Sequence, residues 1–142
     1  MALQLLCKEF QKTHNVEVSF QSDSVEECDE RVRIALYRIA QEALSNVAKH
    51  ANATTVSVHV SHTDSTIALA VEDNGRGFEV ETVHMHQGPR RSLGLISMRE
   101  RAQLLGGSFQ IKSSKRAGTR IQVELPLTLP NPLEKDQDTH LR

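Results

Sequence analysis

Few features of this sequence point outward. Only two cysteines, Cys7 and Cys28, occur in 142 residues, too few for a disulfide scaffold, and no CxxC pair suggests zinc. Such usage fits an intracellular, cytoplasmic setting with two reduced thiols. No apolar run approaches the roughly 20 residues that cross a bilayer, and no basic-then-apolar export signal opens the chain. Membrane contact by these residues is not expected, although a longer, membrane-anchored parent is compatible with the sequence. Net charge is lacking too: 17 Lys and Arg against 18 Asp and Glu leave no field to draw in nucleic acid. Internal repeats and low-complexity tracts are absent. With 38% hydrophobic and 25% charged residues, the chain has the make-up of one soluble domain large enough to close a core.

Periodicity divides that domain into alternating elements. Leu3, Leu6, Cys7 and Phe10 have helical spacing, and Val16 to Phe20 alternate as a strand after the break at Thr13-His14-Asn15. A long helix over about 29–51 follows, capped within Ser24-Val25-Glu26-Glu27 or by Asp29. Its apolar stripe is Val32, Leu36, Ile39, Ala43 and Val47. Val56, Val58, Val60 and then Ile67, Leu69, Val71 read as an antiparallel hairpin. Residues 79–91 are polar and rich in breakers, and a second long helix is expected from Ser92-Leu93-Gly94 to the terminator Gly106-Gly107. A last hairpin joins Phe109-Gln110-Ile111 to 121–125, and the tail from Pro126 has nothing to bury. The domain is therefore placed at 1–127 and a disordered tail at 128–142.

Several polar features sit at informative places. Asp73 shares the parity of Val71, so it carries a carboxylate into the interior at a strand end, just before Asn74-Gly75-Arg76-Gly77. That loop reads either as a type I′ hairpin turn or as a glycine-bearing loop lying against a ligand. Arg38, Glu42, Asn46 and Lys49 stack along one side of the long helix, which suits a solvated face or a chemical one. The start of the second helix, at Gly94, offers unpaired amides to an anion. Thr119 has the parity of Ile121 and faces the interior beside Asp73. His84 and His86 lack further metal ligands nearby, and His59 and His62, three apart in a strand, face opposite ways.

The order of these pieces resembles the histidine-kinase-like ATPases, the superfamily shared with gyrase, MutL and the ninety-kilodalton heat-shock chaperones. Tyr37 to Ala51 is similar to the N box of that family and Glu72 to Phe78 to its first glycine box. Leu93-Gly94-Leu95-Ile96-Ser97-Met98-Arg99-Glu100-Arg101-Ala102 is similar to the nitrate-sensor and DesK-like branch of two-component kinases. The likeness covers nearly all of 3–127, with Ser92 standing where the lid box usually begins with glycine.

What the resemblance implies is an α/β two-layer sandwich, a mixed and mostly antiparallel sheet of about five strands with three helices on one face. It implies ATP and Mg²⁺ as cofactors. Asp73, helped by Thr119, would take the adenine amino group, with Gly75 and Gly77 close to the base. Asn46 would complete the magnesium shell. Glu42 would polarise or deprotonate the nucleophile, while Lys49, Arg90 and Arg91 balance phosphate charge beside Gly94 and Leu95. Residues 79–91 would close as a lid. In this branch the phosphoacceptor histidine precedes an acidic residue on a separate helix; none of the seven histidines here does so. The expected partners are thus a dimerisation and histidine-phosphotransfer domain outside this chain and, indirectly, a response regulator. An anti-sigma-type serine kinase and a degenerate nucleotide-binding or docking module are the alternatives; the Met98 to Ala102 run speaks against the first.

Overall fold

A computed structural model describes residues 2–77 and 88–130, with backbone alone for 88–92. The elements are α1 (Ala2–His14), β1 (Glu17–Ser22), α2 (Glu30–Asn46) running into a π-helical turn (Val47–Ala51), β2 (Thr55–His62), β3 (Thr66–Asp73), α3 (Gly88–Leu104), β4 (Ser108–Ser113) and β5 (Thr119–Pro126). The sheet has the order β1-β2-β3-β5-β4. Only the β1–β2 pair is parallel, because α2 lies between those strands as the crossover that parallel neighbours require. All other pairs are antiparallel. The expected mixed sandwich is the one observed.

Alternation decides which sheet face is covered. Val56, Val58 and Val60 of β2, Ile67, Leu69 and Val71 of β3, and Ile121, Val123 and Leu125 of β5 are buried under the helices. Their neighbours Ser57, His59, Glu72, Arg120 and Glu124 are exposed on the opposite face. From above, α2 contributes Val32, Leu36, Ile39 and Leu44, α1 adds Leu3, Cys7 and Phe10, and α3 adds Met98 and Ala102. Of the two expected caps for α2, Asp29 is the one used: its carboxylate accepts Arg31 N at 2.9 Å. Ser24 only holds a local turn through Glu26 N. Two hydrogen bonds from the Arg31 guanidinium and one from its amide hold the Asp29 carboxyl well below the usual range.

Three expectations are corrected. First, α3 begins at Gly88 rather than at Ser92-Leu93, so the last residues of the anticipated loop are helical; Pro89 suits a first turn, where its missing N–H costs nothing. Second, Pro126 closes β5 opposite Thr66, Leu127 is buried with its N–H on Ser65 O at 2.9 Å, and Leu129 packs on the core. The chain after Pro126 thus buries apolar surface through 129, against the expectation that it would bury nothing. Third, the turn at Asn74-Gly75 is not a hairpin, since β3 has β2 and β5 as its neighbours. Residues 78–87, with His84 and His86, and 131–142 lie outside the described residues.

Both cysteines are buried free thiols, as the sequence suggested. Burial pushes the Cys7 thiol up from 9.0 to about 11. The neutral thiol therefore favours the folded state below pH 9, a contribution that fades as pH rises towards 11. A thiol-reactive probe at pH 8 should modify Cys7 only as fast as the domain opens, with rates rising in urea in step with loss of circular dichroism.

Candidate functional site

The site grows from the end of β3. Asp73, the inward-facing residue there, is 8% exposed and is the single buried charged side chain among the described residues. Its Oδ1 accepts the Gly75 N–H at 2.8 Å, which bends the chain away from the sheet. Directly across the ladder stands Thr119, as parity demanded. Its hydroxyl lies 2.8 Å from that of Ser113, which also donates to Gly118 O.

Over this corner the C-terminal end of α2 brings Asn46. A narrow cleft is lined by Asn46, Asp73 and Thr119, with Val71, Ile121 and Leu95 as apolar walls. Three polar groups from three elements thus converge on one largely apolar space, the arrangement of a small-ligand pocket. Larger hollows lie on the exposed sheet face, beside Lys112 and Arg120 and beside Ser57 and Asn74. They are lined mostly by exposed residues, and size alone does not make them the site.

Glu42 stands one turn before Asn46, half-buried. It leans on α3: a Cβ at Gly94 would run into Glu42 Oε1 and lie 3.3 Å from its carboxyl carbon. This changes the meaning of Gly94. Expected at a helix start where an anion could approach, it sits six residues inside α3, and Glu42 occupies the space that its missing side chain leaves. Gly94→Ala should therefore leave stability unchanged or raised, since alanine favours a helix by about 1 kcal/mol. Any reaction that needs Glu42 in place should slow, by roughly 5-fold or more. Melting curves alongside rate measurements check both halves.

The glycines of the loop also have neighbours the sequence did not reveal. A Cβ at Gly75 would meet the Ala51 carbonyl and Cβ, and one at Gly77, φ +62°, would meet the carbonyls of Ser114 and Gly118. Arg76 N donates to Ala51 O at 2.7 Å. Both glycines let the loop press against its own protein. Gly118, φ +75°, which opens β5, lets that strand start against the Asp73 carbonyl.

Lys49 does not join Asn46 in the cleft. It lies in the π-helical turn, whose extra residue rotates it off the α-helical stripe, and it is exposed. The side chains of Arg90 and Arg91 lie outside the described residues. No group of three His, Cys, Asp or Glu able to hold a metal occurs among the described residues. Magnesium on a nucleotide does not need one, because it keeps waters and phosphate oxygens and takes few protein ligands. The Asn46 carbonyl oxygen fits that limited role.

A two-layer sandwich whose buried carboxylate and helix amide share one pocket is a ligand-binding domain. The chain belongs to the family described as Histidine kinase-, DNA gyrase B-, and HSP90-like ATPase, whose model matches residues 31–129. It is an ATPase-type domain, and ATP is the ligand that this membership implies. Over 92 residues it is 44% identical to the sensor protein VraS of Staphylococcus aureus, covering 65% of this chain and 25% of that protein. It spans about a quarter of the length of the curated relatives it matches. Its fold superposes on the histidine kinase domain of a blue-light activated kinase from Erythrobacter litoralis, with a TM-score of 0.73 at 22% identity over 88% of this chain and 59% of the other. The mycobacterial sensor histidine kinase MprB gives 0.66 at 18% identity, over 91% and 94%.

Proposed function

We propose that this domain binds Mg-ATP in the cleft between α2 and the sheet and donates the γ-phosphoryl group to a histidine on a dimerisation domain outside these residues. The observation that carries the reading is the single cleft shared by Asn46, Asp73 and Thr119. The deep end, with Asp73 among Val71, Ile121 and Leu95, suits a flat base: the carboxylate accepts from the adenine amino group while the apolar walls cover the ring faces. Asn46 is at the phosphate end. When bound there, magnesium neutralises phosphate charge, and the Asn46 carbonyl is the oxygen that the chain offers it. Lys49, Arg90 and Arg91 would balance phosphate charge.

Glu42 lies one helical turn from Asn46, where an incoming imidazole would meet the γ-phosphorus. Its carboxylate orients the ring and accepts a proton from one imidazole nitrogen while the other forms the P–N bond. As that bond forms, the bond to the β–γ bridging oxygen breaks and ADP leaves. The phosphohistidine would then serve a response regulator. On this reading the domain lies on the cytoplasmic side of the parent; among the described residues no helix is long and apolar enough to cross a membrane.

The test joins two measurements on the wild-type chain. A fluorescent ATP analogue should bind, and more tightly with Mg²⁺ than without it. Label from γ-labelled ATP should then appear, acid-labile, on a histidine-bearing dimerisation fragment from a VraS-type sensor supplied in trans. Nucleotide binding without any transfer to such a fragment would reduce the domain to a docking module.

A further inference from the structure

We propose that Asn74 is a positioning residue for the nucleotide site, setting the separation between Asp73 and Asn46 without touching the ligand. The inference rests on the nucleotide reading above and concerns how that pocket is held open. Asn74 follows Asp73 and so turns to the opposite side of the sheet, where it borders an exposed hollow with Thr55, Ser57 and Glu72. From there it cannot reach the cleft. Its side chain is nonetheless tied to the chain: Oδ1 accepts Thr54 N at 2.9 Å and Thr55 N at 3.0 Å, and Nδ2 donates to Thr54 Oγ1 at 2.9 Å. The Asn74 amide adds a bond to Thr55 O at 3.3 Å.

What these bonds join is the point. Residues 52–54 are the short link that leaves the π-helical turn of α2 and enters β2, with Asn52 in the left-handed region at φ +51°. On one side of the link α2 ends in Asn46 and the wide turn; on the other β2 lies in register with β3, Val56 opposite Asp73. Asn74 closes a ring through this link, and Arg76 N on Ala51 O closes a second ring three residues further back. Together they fix the end of α2 to the end of β3, the two elements that hold opposite ends of the pocket. The two Thr amides are caught by one carbonyl oxygen, so losing Asn74 frees two donors and a hydroxyl at once.

A carboxylate keeps the acceptors and lets the Thr54 hydroxyl turn to donate, so Asn74→Asp is the conservative variant and Asn74→Ala the disruptive one. Asn74→Ala is expected to raise the dissociation constant of a fluorescent ATP analogue at least 10-fold, and Asn74→Asp no more than about 3-fold. At saturating nucleotide, label transfer to the histidine fragment by Asn74→Ala should recover to within about 3-fold of wild type, a KM effect rather than a kcat effect. Should Asn74→Ala fail to fold, Asn74→Ser, which can accept from one amide, takes its place with an intermediate loss. Wild-type-like affinity in folded Asn74→Ala or Asn74→Ser overturns the proposal, as does an equal loss in Asn74→Asp. Absence of nucleotide binding by the wild-type chain would instead overturn the functional reading itself.

Discussion

Asp73→Asn is expected to raise the dissociation constant for ATP about 10- to 100-fold while leaving the free domain as stable as wild type or more so. The two halves have opposite physical origins. A hydrogen bond to a charged acceptor contributes about 1.5–3 kcal/mol, or one to two decades of affinity. Asparagine keeps an oxygen for the Gly75 N–H, but its amide nitrogen then confronts the adenine amino group, donor against donor. In the free protein the same exchange removes a charge from a site only 8% exposed, where desolvation works against the carboxylate. Titration of the fluorescent analogue and thermal melting without nucleotide measure the two effects separately. A variant that lost both together would point to a structural role for the carboxylate and away from base recognition.

Glu42→Ala should do the reverse, keeping nucleotide affinity within a few-fold while lowering transfer to the histidine fragment by roughly 10²–10⁴. Glu42→Gln, which preserves shape and packing on Gly94, should lose nearly as much if proton acceptance is what matters. Recovery in Gln but not in Ala would mean that the side chain serves only to space α3 from α2. Label transfer at saturating ATP, with binding followed in parallel, separates these outcomes. Both variants leave the core untouched.

Much of this architecture could be read in the sequence because it is written at the period of the elements. Alternation alone put Asp73 and Thr119 in one interior layer, and the ladder pairs them directly. Helical spacing put Glu42 and Asn46 one turn apart on α2, and they are. What escaped depends on neighbours remote in sequence. The partners of Asn74 are about 20 positions away, and the carbonyl that Gly118 clears belongs to Asp73, so neither role leaves a local pattern. The π-helical turn at Val47–Ala51, which carries Lys49, leaves no mark in the helical spacing either. The breakers at Gly88-Pro89 predict a helix that starts near Gly94, whereas proline there begins it at Gly88.

The wide turn after Asn46 has a further effect, on which sequences the domain can tolerate. It presents Ala51 so that its carbonyl receives Arg76 N and its methyl group abuts Gly75, 2.7 Å from where a Cβ would stand. Positions 51 and 75 are therefore a single steric unit. Volume added at 75 has no room to relax, because the limiting atom is the Ala51 backbone oxygen and no smaller residue at 51 would move it.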